Sequence, residues 1–219
     1  MLPDFDAVIF DLDGLLLDTE STYVQAWRQA AQAMGLDETL LQTEELSGLH
    51  HQALLTLLKS KFGSDFQEAL FNQLSSHYWY AQLQQTGIAK KTGVDALLSL
   101  LIQRHIPFCL ATNSPTKNAQ ECLTFAGLDK TFSLIIGRER VALGKPAPDI
   151  FLLAAQRLQQ PITRCLVLED SAVGIAAAQA AGAIAVLIPS TAAVAKMQFE
   201  SAVWLFADLA EVARQIVLK

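Results

Sequence analysis

The chain opens on a short apolar run, Ala7-Val8-Ile9-Phe10, which reads as a strand, and its periodicity then changes completely until residue 88. Tyr23, Trp27, Ala30, Ala31 and Met34 recur at helical spacing and predict a helix over 20–34, capped by Asp18-Thr19-Glu20 and stopped by Gly35. Leu54, Leu55, Leu58 and Phe62 form a second stripe that ends at Gly63, and Phe66, Leu70, Leu74 and Tyr78 form a third. No strand pattern interrupts this block. Past Gly93, helical patterns alternate with strand-like runs over Pro107–Ala111, Phe132–Ile136, Arg164–Leu168, Ile184–Ile188 and Ala202–Leu205. That alternation predicts a parallel sheet covered on both faces. The first strand has no partner nearby in sequence, so the helical block reads as an insertion. The expected fold is therefore α/β, a doubly wound, Rossmann-like parallel-sheet core over 1–17 and 89–219, with an α-helical cap domain over 18–88. Short hinges near Leu15–Asp18 and Ile88–Gly93 would let such a cap close over a small substrate and exclude water.

Composition narrows the class. A chain of 219 residues that is 52% hydrophobic and 17% charged is a compact globule rather than a disordered one. A net charge of -6 and a pI near 5.2 disfavour nucleic acid or an anionic membrane as partner, so a small anionic ligand would need a local cationic site. The opening Met1-Leu2-Pro3-Asp4-Phe5-Asp6 has no basic n-region, and a cytoplasmic protein, monomeric or a small homo-oligomer, is expected. The apolar stretch 172–188 is broken by Gln179 and Gly182 and reads as a buried helix followed by a buried strand. Cys109, Cys122 and Cys165 form no C-x-x-C pair, and Cys109 and Cys165, inside predicted strands, read as buried thiols.

The chemistry gathers where an open parallel sheet binds ligands, at the carboxyl ends of its strands. Asp11 and Asp13 follow the first strand at a spacing that points both to one face, and Gly14 allows a sharp turn. Two such carboxylates need a cation, a shared proton, or both. A calcium loop is excluded, because the sixth position is Leu16 and the twelfth Thr22. The second strand ends Thr112-Asn113-Ser114-Pro115; with Ser114 as N-cap and Pro115 at the first helical position, Thr112 and Asn113 would lie where free backbone N–H groups make a phosphate cradle. Lys145 sits in the stiffened loop Gly144-Lys145-Pro146-Ala147-Pro148-Asp149. Glu169 and Asp170 end the fourth strand of this series, either as helix N-caps or as ligands for magnesium.

Taken together, Phe10-Asp11-Leu12-Asp13-Gly14, Thr112 with Asn113, Lys145 in Gly-Lys-Pro-Ala-Pro-Asp, and Glu169-Asp170 resemble the four motifs of the haloacid dehalogenase superfamily, in the branch of β-phosphoglucomutase and the phosphoglycolate and sugar-phosphate phosphatases. The resemblance spans essentially the whole chain. It implies Asp11 as nucleophile, forming an aspartyl-phosphate, and Asp13 as general acid and then base. It implies magnesium held by the Asp11 carboxylate, the Asp13 backbone carbonyl and Asp170, with Glu169 helping directly or through water. Thr112, Asn113 and Lys145 would hold the phosphate oxygens.

Departures sort the branches. Dehalogenases and phosphonatases lack the second acid, which Asp13 supplies, and the latter use a cap lysine that has no nominee here. P-type pumps need membrane helices. In the mutase a histidine follows the first motif, where Tyr23 stands, and its cap Gly-x-x-Arg loop corresponds to Ser47-Gly48-Leu49-His50-His51, with histidine replacing arginine. The expected activity is thus a magnesium-dependent phosphatase acting on a small phosphomonoester, a sugar phosphate or phosphoglycolate-like metabolite, with His50 and His51 touching the leaving group. The alternatives are a phosphosugar mutase and a non-catalytic regulatory protein that binds a phosphorylated metabolite.

Overall fold

The computed structural model describes residues 2–37, 51–63, 66–190, 192–196 and 203–217. By compactness the chain divides into one unit of Met1–Leu17 with Ala89–Lys219 and another of Asp18–Ile88.

The first unit is built on one six-stranded parallel sheet in the order β3-β2-β1-β4-β5-β6, with β1 Ala7–Phe10, β2 Phe108–Ala111, β3 Ile135–Ile136, β4 Cys165–Glu169, β5 Ile184–Leu187 and β6 Trp204–Leu205. β1 lies between β2 and β4, with Ile9 opposite Cys109 on one side and Val167 on the other. Strands on one side of β1 run outward as 2 and 3, those on the other as 4, 5 and 6. The order therefore reverses beside β1, and a crevice opens there at the carboxyl ends. Every residue of β1 and β4 is buried, which explains why these strands read as unbroken apolar runs rather than alternating ones.

On one sheet face Ala7, Ile9, Cys109, Cys165 and Val167 pack with Phe151 and Ala154 of α6 (Asp149–Leu158) and Ile175 and Ala178 of α7 (Ala172–Ala181). On the other, the Phe10 ring meets Phe108 and Phe132 edge to face, at centroid distances of 6.1 and 5.9 Å. Helices α4 (Val94–Gln103) and α9 (Leu209–Val217) pack together, α5 (Thr116–Phe125) follows β2, and α8 is the short Ala192–Ala195. Among the described residues no helix is long and apolar enough to cross a membrane.

The predicted strands near 107, 164–168 and 188 shift by one residue at those ends, and two runs change further. The run beginning at Phe132 gives a strand only at Ile135–Ile136; Phe132 is buried because its ring fills the aromatic cluster, not because its backbone is in the ladder. Ala202 lies outside the described residues, and the last strand is Trp204–Leu205.

The second unit contains α1 (Thr19–Ala33), α2 (His51–Phe62) and α3 (Glu68–Thr86), with no strand among the described residues. Asp18 caps α1 by accepting from the Ser21 N–H, and Gly35 follows the helix with φ 70°, a left-handed conformation open to glycine. Val24, Trp27, Ala30, Leu54, Leu58 and Phe71 form its core. Tyr23 stacks on both Trp27 and Trp79, and the Trp79 indole N–H donates to Thr22 Oγ1 at 3.0 Å.

Candidate active site

β1 delivers Asp11 to the crevice, its N–H still bonded to Leu168 O at 3.0 Å. The chain then turns at Gly14, whose φ of 81° suits glycine and whose bare Cα lies close to Asp170; a Cβ there would sit 2.2 Å from Asp170 Oδ2. Leu15, Leu16 and Leu17, which follow this turn, are buried.

Among the described residues, the carboxylates of Asp11, Glu169 and Asp170 offer oxygen atoms that all lie within 4.8 Å of one another, and all three residues are buried. Lys145 enters this cluster from the loop before α6. Its Nζ donates to Asp11 Oδ1, to Glu169 Oε1 at 2.5 Å and to Ala111 O at 3.0 Å, and it lies 4.9 Å from the centroid of the Phe151 ring. Burial, opposed by Lys145 and reinforced by Glu169, Asp170 and Asp13, pushes the Asp11 carboxyl well above the usual carboxylate range. Burial alone would lower Lys145, but Asp11 and Glu169 beside it hold its ammonium above the ordinary lysine value. One ammonium cannot balance this many buried carboxylates. Three hard oxygen donors with an excess of negative charge suit a small divalent cation such as magnesium, so the residues fit the metal the motifs imply.

Asp13 faces elsewhere. Its Oδ2 accepts from Ser114 Oγ at 2.7 Å and lies 3.5 Å from Thr112 Oγ1. Ser114 was expected to cap the following helix; instead α5 begins at Thr116 with Pro115 in the cap position, and the serine hydroxyl serves Asp13. Of the expected cradle of N–H groups, several are already engaged. Thr112 N–H extends the sheet ladder to Ile136 O, Ser114 N–H bonds Thr112 Oγ1, and the Glu139 carboxylate takes the Thr116 N–H. Asn113 turns its side-chain amide onto the Lys145 backbone, accepting from its N–H at 3.0 Å and donating to its C=O at 3.2 Å.

Glu169 and Asp170 do not cap α7. Ser171 does so by accepting from the Gly174 N–H at 3.1 Å, and its hydroxyl also donates to Glu169 Oε2 at 3.1 Å. Gly174 was not foreseen either: a Cβ there would lie 1.9 Å from the Glu169 carboxyl carbon, so only glycine lets that carboxylate rest against the start of the helix. Of the two cap histidines, His50 lies outside the described residues and His51 is described only as the first residue of α2.

An open parallel sheet with acids and a buried lysine gathered at its switch point defines an α/β enzyme of the doubly wound class. Residues 5–182 match the model of the haloacid dehalogenase-like hydrolases, and the chain belongs to that family. It is 32% identical over 178 residues to a phosphorylated carbohydrates phosphatase of Thermotoga maritima, covering 81% of this chain and 82% of that protein. It is 30% identical over 186 residues to the β-phosphoglucomutase of Bacillus subtilis, covering 82% and 81%. Among solved structures, a haloacid dehalogenase family hydrolase of Deinococcus radiodurans R1 with bound phosphate and sodium matches with a TM-score of 0.76 at 30% identity, over 98% of this chain and 96% of that one.

Proposed function

We propose that this protein is a phosphoric monoester hydrolase that removes phosphate from a small phosphorylated sugar or a phosphoglycolate-like metabolite, in a magnesium-dependent reaction through an aspartyl-phosphate on Asp11. The observation that carries the reading is the convergence of Asp11, Glu169 and Asp170 at the switch point of the sheet, with the Lys145 ammonium paired to the first two. The phosphatase relative that acts on phosphorylated carbohydrates supports the substrate class. The division into a catalytic core over 1–17 and 89–219, with 18–88 as a cap domain, belongs to the same proposal, as does a cytoplasmic location.

In this mechanism the Asp11 carboxylate attacks phosphorus, and the bond to the leaving oxygen breaks as Asp13 supplies its proton. Asp13, now a carboxylate, takes a proton from water as that water attacks the aspartyl-phosphate, regenerating Asp11 and releasing phosphate. Lys145 and the Thr112 hydroxyl hold phosphate oxygens while charge redistributes. Asp11, Asp170 and the Asp13 carbonyl, with Glu169, would hold the magnesium ion, which when bound neutralises phosphate charge and polarises phosphorus.

A mutase reading is favoured by the β-phosphoglucomutase relative. One experiment separates the readings: phosphate release from sugar phosphates, phosphoglycolate and nucleotides, with magnesium or chelator, using wild type and Asp11→Asn. Release that needs magnesium and drops roughly 10⁴-fold in the variant supports the phosphatase. Conversion of β-glucose 1-phosphate to glucose 6-phosphate without release supports the mutase, and silence in both assays favours a phosphate-binding regulatory protein.

A further inference from the structure

We infer that the Asn113 side chain is a positioning group for Lys145, acting through the lysine's backbone. The inference rests on the reading of Lys145 as a phosphate-holding group and extends it to the residue that fixes where that group stands.

Three observations carry it. First, the Asn113 side chain makes two opposed hydrogen bonds to a single residue, with Oδ1 accepting from Lys145 N at 3.0 Å and Nδ2 donating to Lys145 O at 3.2 Å. A backbone offering one donor and one acceptor fixes which end of the amide is which, so the tether sets both the place and the rotation of the Lys145 peptide units. Second, the neighbouring residue leaves room for the tether. A Cβ on Gly144 would stand 2.6 Å from Asn113 Oδ1, and equally close to Arg138 Cδ and Nε, so a side chain there would crowd both the amide and the arginine. Third, the lysine tip has its own strict demands, reaching Asp11, Glu169 and Ala111 O together with its side chain almost wholly buried. A four-carbon stem can satisfy three partners only from a fixed root. The tether supplies that root from Asn113, which stands directly after Thr112 at the end of β2, on the same rigid sheet that carries Asp11.

The consequence is mechanical. Loss of the tether lets the loop before α6 drift while Lys145 itself is retained, and a misplacement of about 1 Å at a group that meets the transferring phosphate costs on the order of a hundredfold in rate.

The test is a double-mutant cycle with Asn113→Ala and Lys145→Ala, read both as kcat/KM for phosphate release and as affinity for inorganic phosphate by calorimetry, with folding checked by circular dichroism. Asn113→Ala is expected to lower kcat/KM about ten- to a hundredfold in the Lys145 background and less than about threefold once Lys145 is already alanine. Asn113→Asp keeps the acceptor for the Lys145 N–H but sets an oxygen against the Lys145 carbonyl, and is expected to lose nearly as much as the alanine variant. An equal loss with and without Lys145, or unchanged turnover and phosphate affinity in Asn113→Ala, overturns the inference. If the parent protein releases no phosphate from any substrate, the phosphatase reading has failed by itself, and the cycle is decided on phosphate affinity by the same two outcomes.

Discussion

At the scale of single residues, the site is a set of carboxylates made different by their neighbours. Asp11 is buried against Lys145 and two further acids, whereas Asp13 is held by the hydroxyl of Ser114. A nucleophile must be ionised while the proton donor two residues away holds its proton, so the raised Asp11 carboxyl would depend on Lys145 and a bound cation to favour its charged form. Ser114→Ala removes the 2.7 Å hydrogen bond to Asp13, and one hydrogen bond to a charged group corresponds to a loss of about tenfold or more in the step that uses it. The loss should be larger for alkyl sugar phosphates than for p-nitrophenyl phosphate, whose leaving group needs little help from an acid; steady-state rates on the two substrates check this. Asp11, Asp13, Lys145, Glu169 and Asp170 were legible in the sequence because each stands at a strand end or in a proline-stiffened loop. Asn113 and Ser114 were legible only as cradle and helix-start residues, and Ser171 not at all, because the two acids before it read as the possible caps. The partners of Asn113 and Ser114 come from segments tens of positions away, and local sequence carries no sign of which side chain a loop will meet.

At the scale of elements, glycine does more than turn the chain. Gly174 lies inside α7, where exchange for alanine would ordinarily stabilise a helix by about 0.5–1 kcal/mol. Here the added carbon would overlap the Glu169 carboxylate, so Gly174→Ala is expected to lower both the melting temperature and phosphatase activity. A variant that melts higher and keeps full activity would refute the packing described. At the other end of the sheet, Arg164 bonds both oxygens of Asp6 at 2.7 Å, just where Asp6 N–H extends the β1–β4 pairing to Arg164 O. The Arg164 hydrogen bond lowers the Asp6 carboxyl below its ordinary 3.8. A depressed carboxyl stabilises the fold above its unfolded value and loses that contribution as pH falls through the folded one. Denaturation midpoints of wild type and Asp6→Asn should therefore differ at neutral pH and converge as pH drops below 3.8. The strand at β1 was legible to the residue. The run from Phe132 was not, because a buried aromatic in a turn and a buried strand share the same apolar signature.

At the scale of the molecule, the change from purely helical patterning over 18–88 to strand-helix alternation after Gly93 announced an α/β sheet with an insertion. The order of the strands was not legible, since it depends on which way each crossover turns. That order decides the chemistry: it puts the ends of β1 and β4 side by side, and with them Asp11 and Glu169. The concentration of buried negative charge there is costly without a cation, so binding should be linked to stability. Saturating magnesium, at about a hundredfold its dissociation constant, is expected to stabilise the folded protein by about 2.7 kcal/mol. The gain should be absent in Asp170→Asn; thermal melts of both proteins with magnesium and with chelator measure it, and an equal gain in the variant would remove Asp170 from the metal site.

The central claim is that Asp11 carries the phosphoryl group. Mixing the enzyme with a turned-over phosphomonoester and magnesium, quenching in acid within the first turnover and mapping phosphorylated peptides by mass spectrometry tests it most directly. The expected result is a hydroxylamine-labile phosphoryl group on the peptide containing Asp11, absent from Asp11→Asn together with turnover. Phosphate release that continues at the parent rate in Asp11→Asn, or a phosphoryl group found on another residue, would contradict the account.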